Sequence, residues 1–221
     1  MTEKARYPKE WGEVPSVTEV LGAFPGPALI GWYRKMAFAE QKAVSDKALD
    51  IGKTLHELRI RIEKGEPFEI LTKYPAEVQN CVKAYFQWKK ERKIPPIIFS
   101  ELQMFSRSLG IKGTFDDLAS DGLKTVLLEY KTSSGIYDEA REQSVVYKKL
   151  YTAPDTQFLQ KVDSVLRRID ETWIVRFPKD KPDFESKQVM PDEENELWES
   201  FNHKLAILKI RKKRDANRRI S

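Results

Sequence analysis

Cysteine and histidine are scarce in this chain. Its 221 residues include one cysteine, Cys81, and two histidines. A single cysteine excludes a disulfide within the chain, and it excludes a zinc or iron–sulfur site built from four cysteines of the chain. Because a lone cysteine usually packs as a small apolar side chain, we expect Cys81 to be buried and unreactive.

Long apolar runs are absent as well. No stretch approaches the roughly 18 consecutive apolar residues of a membrane-spanning helix, so we expect no membrane span. The N-terminal residues Met-Thr-Glu-Lys-Ala-Arg-Tyr-Pro lack the apolar segment of a signal peptide. These features predict a cytoplasmic protein, in the host cytoplasm if the chain is viral, with no secretion signal.

The positive charge of the chain is concentrated near its C-terminus. The formal net charge is +5, and residues 204–219 hold eight Lys or Arg side chains against the single carboxylate of Asp215. The rest of the chain is therefore slightly acidic. This basic segment fits either a nucleic-acid contact that acts through counterion release or a solvated tail that favours solubility. We favour the nucleic-acid contact. Its predicted DNA-binding residues are Lys212, Lys213 and Arg214.

The length and a hydrophobic fraction of 40% predict one domain with a substantial core. We place it at residues 14–203, between a flexible N-terminus at 1–13 and the basic segment at 204–221. Apolar periodicity, capping residues and Pro or Gly breaks predict helices over 16–22, 27–41, 45–63, 75–93 and 137–151, and a last helix from residue 191. Predicted strands cover 97–106, 113–117, 126–131, 172–177 and 184–189, while 158–168 fits either a helix or a strand.

Three residues inside these elements carry predictions of their own. Trp32 is predicted to lie in the core, with base stacking as the alternative. Gly52 would allow another backbone to approach closely, and Gly113 would let its strand bend.

A β-hairpin predicted around the turn at residues 120–122 is the most informative stretch. Residues two apart on a strand point to the same face, so Glu129 and Lys131 project together and Tyr130 projects opposite. Asp116 can face them from the partner strand. The adjacent Asp117 would point the other way in a regular strand. The pattern predicts two carboxylates and one ammonium group converging at the end of the hairpin.

These groups have a chemical use together. Hard divalent cations take oxygen ligands, and Mg²⁺ favours few protein ligands with water and phosphate completing its shell. Asp116, Glu129 and the carbonyl of Tyr130 could hold such an ion. Lys131 could orient or help deprotonate an attacking water, or stabilise charge on a phosphate. The alternative is a surface ion pair between Glu129 and Lys131, which costs little to make or lose.

The flanking residues resemble the PD-(D/E)xK nuclease superfamily, and within it the RecB-like exonuclease branch. The resemblance covers roughly residues 15–190, thins after residue 151, and departs at Glu129, where that branch more often has Asp. The matching pieces, in order, are Gly52 with His56, Glu101, Gly-Thr-Phe-Asp at 113–116, Glu-Tyr-Lys-Thr at 129–132, and Gln143 with Tyr147.

The resemblance implies an α/β fold with a restriction-endonuclease-like core, in which a mixed central β-sheet is flanked by α-helices. It makes His56 a metal ligand, and it places Glu101 at the metal shell, directly or through water. Because imidazole suits Mn²⁺ better than Mg²⁺, we expect Mn²⁺ to support activity at least as well. Gln143 is expected near the metal or the scissile nucleotide, and Tyr147 either braces its helix against the sheet or contacts DNA. Ser133 and Ser134, in the loop after the lysine strand, could contact phosphates.

The function so implied is metal-dependent hydrolysis of DNA by an exonuclease that works from single-stranded ends in repair, recombination or replication. It resembles the compact stand-alone kind without an iron–sulfur cluster. One alternative is a structure-specific endonuclease, and another is a non-catalytic nucleic-acid-binding protein on a nuclease fold. The resemblance leaves open the oligomeric state and a helicase or single-strand-binding partner.

Overall fold

The computed structural model describes residues 7–35, 37–66, 68–162 and 167–218, with backbone only for 68–70. The α-helices are α1 (Val17–Gly22), α2 (Pro27–Tyr33), α3 (Phe38–Glu63), α4 (Ala76–Arg92), α5 (Asp138–Thr152) and α6 (Glu194–Arg218). The strands are β1 (Ile97–Ser106), β2 (Ile111–Ser120), β3 (Thr125–Lys131), β4 (Gln157–Phe158), β5 (Glu171–Arg176) and β6 (Glu185–Gln188). Short 3-10 helices span Lys9–Trp11 and Phe68–Lys73.

The strands form one mixed sheet in the order β4-β1-β2-β3-β5-β6. β1, β2 and β3 are an antiparallel meander, and β5 lies parallel to β3. Parallel neighbours require a crossover connection, which α5 supplies here. The predicted α/β fold, with a mixed central sheet flanked by helices, is confirmed.

Each face of the sheet is covered by helices over its own apolar core. On one face, α3 and α4 pack over a cluster that includes Leu55, Tyr85 and Trp88. On the other face, α1, α5 and α6 pack over a cluster that includes Val146, Leu150 and Phe201. Within the described residues no helix is both long and apolar enough to span a bilayer.

Strand β3 contributes to both faces in alternation. Leu127 joins the core beneath α5, whereas Leu128 and Tyr130 join the core beneath α3 and α4. Glu129 and Lys131 follow the parity of Leu127, and their side chains contact each other. The prediction that these two side chains project together, opposite Tyr130, is therefore confirmed.

The β2–β3 ladder stops before β3 does. Pairing runs from Ser120 with Thr125 to Asp117 with Leu128, and goes no further. Beyond that point the N–H of Tyr130 donates to the Asp116 side chain, Oδ2, at 2.7 Å. A side-chain acceptor thus takes the position of a ladder partner, and the sheet opens beside the last residues of β3.

Several sequence predictions of this fold need correction at the N-terminal end. Residues 1–6 lie outside the described residues, but the predicted flexible segment includes Trp11, which is 5% exposed and stacks on Phe105. The predicted helix over residues 27–41 ends at Tyr33, and a new helix begins at Phe38. Trp32 is half-buried on a helix with no buried residue, so its prediction as core is wrong.

The predictions for the C-terminal half fare better. The last helix buries its apolar stripe through Phe201, Leu205 and Leu208. In the ambiguous stretch 158–168, Phe158 ends β4, and residues 163–166 lie outside the described part of the chain. Local apolar periodicity suffices to predict α6, whose buried stripe packs beside α5 and α1.

Candidate metal centre and active site

A histidine and two carboxylates converge where the sheet opens. His56, Glu101 and Asp116 each offer a ligand atom, and these atoms lie within 4.8 Å of one another. The Nδ1 atom of His56 is 2.9 Å from Oε1 of Glu101 and 3.3 Å from Oδ1 of Asp116. We call these three residues the metal triad. They come from α3, β1 and β2, which are remote in sequence.

Helix α3 is held against β2 by a fully buried ion pair beneath the metal triad. Arg59 lies one helical turn after His56 and is 0% exposed. Its Nη1 donates to the side chain of Asp117, which also accepts from Ser100 Oγ and from Tyr130 Oη. Burial opposes the charge on Arg59, but the Asp117 carboxylate together with Tyr130, Asp116 and Tyr85 outweighs it, so the pKa of Arg59 is raised above its ordinary value. Asp117 therefore contacts α3 at Arg59 and is not one of the triad ligands, although its neighbour Asp116 contacts His56 on the same helix.

Glu101 reaches the triad through an unusual backbone conformation. Its φ is 52°, in the left-handed region that L-residues rarely occupy. Its neighbour Ser100 contacts Asp117, which pairs with Arg59 of α3, while Glu101 contacts His56 of α3. Two consecutive side chains of β1 therefore lie on the α3 side of the sheet. A regular strand would send them to opposite faces. Strain of this kind, of order 1–3 kcal/mol, is found most often at functional sites.

A second cluster lies on the α5 side of β3. The Nζ of Lys131 donates to Glu129 Oε1 at 2.7 Å and to Gln143 Oε1 at 2.8 Å. The Nε2 of Gln143 donates in turn to Tyr147 Oη at 2.9 Å. Gln143 and Tyr147 are one helical turn apart on α5, so they share a face. The resemblance places Gln143 near the metal or the scissile nucleotide, whereas its side chain holds the ammonium of Lys131 here.

Tyr147 is a packing residue in this structure. It is 2% exposed, and its ring lies against Gly113 of β2. A Cβ at Gly113 would lie 2.8 Å from the ring, so the glycine is needed for helix–sheet contact and not only for a bend. The bracing role is confirmed, and the DNA-contact role is wrong because the side chain does not reach the surface.

Burial and neighbouring charges shift the titration of the site. The pKa of His56 rises to about 9, chiefly through the carboxylate of Asp116, with Glu101 adding to it. Burial, followed by the Asp116 carboxylate, raises the pKa of Glu129 to about 7. Burial disfavours the charge on Lys131, but Glu129 and Asp116 outweigh that effect and its pKa is raised.

The donor set fits a divalent cation. Two carboxylates and an imidazole suit Mn²⁺ and Mg²⁺ chemistry. Beside the triad, Oε2 of Glu129 is buried with no hydrogen-bond partner, which leaves an acceptor for a cation or its water. Such an ion would replace the proton that His56 carries. Glu129 itself pairs with Lys131 and lies outside the triad, while Tyr130 lines the same cleft.

The metal triad opens into a cleft of about 1030 Å³ between α3 and the end of β3. Lys53 and Lys179 line this cleft, together with the exposed side chains of Tyr33 on α2 and Leu49 on α3. The carboxylates of Glu57, Glu101 and Asp116 line it too, so the cleft would suit a polyanion once a cation is bound at the triad.

The remaining predicted DNA contacts have different surroundings. Ser133 donates to the carbonyl of Gly135 at 2.8 Å, and Ser134 bonds the hydroxyl of Tyr137 at 2.6 Å. Lys212 forms an ion pair with Glu19 of α1. Lys213 and Arg214 are exposed on the last turns of α6. The predicted close backbone approach at Gly52 is not seen, since a Cβ there would meet only Thr132 Oγ1, at 3.7 Å.

Four residues of the site escape the sequence reasoning. The spacing could have identified Arg59, because it lies three residues after His56 and residues three apart share one helix face. Asp117 is set aside there as the neighbour of Asp116, yet it anchors α3. No local sequence pattern marks Lys53 and Lys179, since only the fold places them along the same cleft.

Comparison with known proteins adds little. No protein-family model matches the chain, and no curated protein matches it. Among solved structures, the chain is similar to one described as "Crystal structure of SSO0001", with 16% sequence identity over 68% of this chain and 70% of that chain, and a TM-score of 0.37. A TM-score this low carries no argument, so any functional conclusion depends on the site.

Proposed function

We propose that this protein is a metal-dependent deoxyribonuclease of the PD-(D/E)xK type. The observation that carries the proposal is the convergence of His56, Glu101 and Asp116 within 4.8 Å, beside a lysine held by two acceptors. The motif order in the sequence, from the glycine–histidine pair to the glutamine on α5, supports the same proposal.

The chemistry that a bound Mg²⁺ or Mn²⁺ supplies is polarisation of the phosphate and a lowered pKa for its water. His56, Glu101 and Asp116 would hold the ion. The Oε2 atom of Glu129 is buried without a hydrogen-bond partner, so it could accept from a water on that ion. Lys131 is fixed by Glu129 and Gln143, so its ammonium can orient a water or stabilise phosphate charge without reorganising.

The substrate side of the proposal rests on charge and shape. Lys53 and Lys179 line the cleft, and Lys213 and Arg214 extend basic charge along α6. Lysines in these positions would contact phosphates without reading sequence. We propose DNA as the substrate, attacked from single-stranded ends, with a role in repair, recombination or replication.

An endonuclease is the second candidate. The cleft beside the metal triad is a partly open groove and not an enclosed cavity. A continuous strand could therefore enter it without threading an end. Circular DNA, which has no ends, separates the two candidates.

The test is digestion of end-labelled linear single-stranded DNA and of circular single-stranded DNA, with Mg²⁺, Mn²⁺ or EDTA. We expect the linear substrate to be lost in either metal, at least as fast in Mn²⁺, and to survive in EDTA. Lys131→Ala should reduce the rate at least about 100-fold, the scale of losing one preorganised charge donor. The position of the label then gives the polarity.

The matched control is Lys124→Ala, which removes an exposed lysine at the other end of β3, where it pairs with Glu171. This variant should digest DNA like the wild type. Cleavage of circles would establish the endonuclease. DNA binding without cleavage in any metal would refute the catalytic proposal and leave the non-catalytic binding protein.

A further inference from the structure

A smaller cavity lies next to Lys131, separate from the metal triad. Its volume is about 250 Å³. Lys131 and Ser133 line both this cavity and the large cleft, so the two spaces adjoin across these residues. No triad residue lines the small cavity. Its other polar or aromatic lining residues are Thr18, Tyr137, Glu139 and Gln143.

The two spaces differ in capacity. Cavities of about 300–1,000 Å³ hold drug-sized ligands, so a cavity of about 250 Å³ matches a unit no larger than one nucleoside. The large cleft, at about 1030 Å³, has room for several. A phosphate held at the metal triad and Lys131 would therefore have a long segment on one side and a single unit on the other.

The walls of the small cavity suit a nucleoside. Tyr137 is 40% exposed, and its hydroxyl is fixed by Ser134 at 2.6 Å, so part of a held ring is available for stacking. The ring also rests against Gly135, where a Cβ would lie 3.6 Å from Cζ. Every base has a π-face, so an aromatic ring here would accept any base.

Glu139 sets the polarity of this ligand. Glu139 lines the cavity, and its carboxylate lies against Gly26, where Oε1 would meet a Cβ at 1.7 Å. A carboxylate accepts hydrogen bonds from sugar hydroxyls and base N–H groups, but it repels a second phosphate. With Lys131 at the wall shared with the large cleft and Glu139 elsewhere in the lining, the cavity suits a nucleoside that carries a phosphate only at the end beside Lys131.

We infer that this cavity is a nucleoside subsite for the unit next to the scissile phosphate, in which Tyr137 stacks on the base and Glu139 excludes a terminal phosphate. The inference rests on the proposed function for the identity of its ligand. It adds a binding site, with a preference for an unphosphorylated end.

The test is titration of the full chain with thymidine and with thymidine 3′,5′-bisphosphate, followed by NMR chemical shifts of the cavity residues. We expect thymidine to bind, Tyr137→Ala to weaken it at least tenfold, and Tyr137→Phe to stay within threefold of the wild type. Glu139→Gln should improve the affinity for the bisphosphate relative to thymidine at least fivefold. Phe38→Ala, which removes an aromatic that is 81% exposed outside the cavity, is the control and should change neither.

The outcomes separate this inference from the proposed function. If thymidine binds in a Tyr137-dependent way but the protein cleaves no DNA, the subsite is supported and the nuclease proposal is refuted. DNA cleavage in a protein whose cavity residues do not shift at millimolar thymidine, or whose binding is unchanged in Tyr137→Ala, would overturn the subsite alone.

Discussion

At the scale of single residues, the buried ion pair of Arg59 with Asp117 is the main support of the candidate site. It joins the helix that carries His56 to the strand that carries Asp116. Arg59 also reaches toward the Asp116 carbonyl at 3.5 Å and lies over the Tyr130 ring at 4.7 Å. All the elements around the metal triad are thus linked through one guanidinium.

Arg59→Met should be strongly destabilising. Removing one partner leaves the Asp117 carboxylate buried and uncompensated, which costs about 3–5 kcal/mol of unfolding free energy. The measurement is urea denaturation of the variant against the wild type.

A double variant and a surface variant serve as controls for Arg59. Arg59→Met with Asp117→Leu should recover much of the loss, because no charge stays buried. Arg61→Met, in an ion pair about two-fifths exposed, should cost no more than about 1 kcal/mol. A loss below about 1 kcal/mol in Arg59→Met would contradict the proposed support.

Asp155 gives a pH-dependent prediction. Its carboxylate accepts from Ser106 Oγ at 2.6 Å and from the Ser108 N–H at 2.8 Å, which lowers its pKa from 3.8 to about 2. Because the folded-state pKa is depressed, the stabilisation is present above the ordinary pKa and is lost as the pH falls through the folded one. Asp155→Asn should therefore be less stable than the wild type at neutral pH, and the gap should close as the pH falls from about 4 toward about 2.

Urea denaturation at a series of pH values checks this expectation. Asp192→Asn, which removes one exposed carboxylate before α6, is the control for the loss of a single negative charge. A gap between Asp155→Asn and the wild type that does not change over the acidic range would contradict the assigned hydrogen bonds.

At the scale of elements, the contact between α5 and β2 sets the position of Lys131. Tyr147 packs on Gly113 and receives the Gln143 amide, which in turn holds the lysine. Gly113→Ala should cost about 1–3 kcal/mol, because its Cβ would lie 2.8 Å from the Tyr147 ring and 3.2 Å from Val17. Denaturation of the variant measures this cost.

Gly22→Ala is the matched control, because a Cβ there meets nothing within 4 Å. It should be neutral or stabilising by up to about 1 kcal/mol. If Gly113→Ala were as stable as Gly22→Ala, the close helix–sheet contact would be refuted.

The sequence predicts best those elements that carry a clear local pattern. The bounds of β1 and the buried stripe of α6 follow from residue alternation and periodicity. Helix α2 is misjudged because its apolar residues stay partly exposed, a fact that depends on tertiary contacts. The contact between His56 and Glu101 likewise depends on the left-handed backbone of Glu101, which a periodic sequence pattern does not predict.

At the scale of the whole molecule, the sheet has a separate core on each face, and Cys81 lies in the core beneath α4. Its thiol is 0% exposed and contacts the Phe177 carbonyl at 3.4 Å, and burial raises its pKa to about 11. Only the thiolate reacts quickly with alkylating agents. Cys81 should therefore label with iodoacetamide only as fast as the molecule opens.

The labelling rate, measured over a urea series, should follow the global unfolding transition seen by circular dichroism. Arg59→Met, which destabilises the same face, should speed labelling in native buffer. Rapid labelling of the wild type without urea would show that α4 opens independently of the rest of the domain.

The early end of the β2–β3 ladder has a consequence for amide hydrogen exchange. The Tyr130 amide is held by one carboxylate, whereas the ladder extends as far as Leu128. Exchange at Tyr130 therefore requires only the rotation of one side chain, while exchange in the ladder requires separation of strands. The amide next to the metal triad thus reports the conformation of Asp116 directly, and its protection factor would follow whatever ion or substrate that side chain comes to hold.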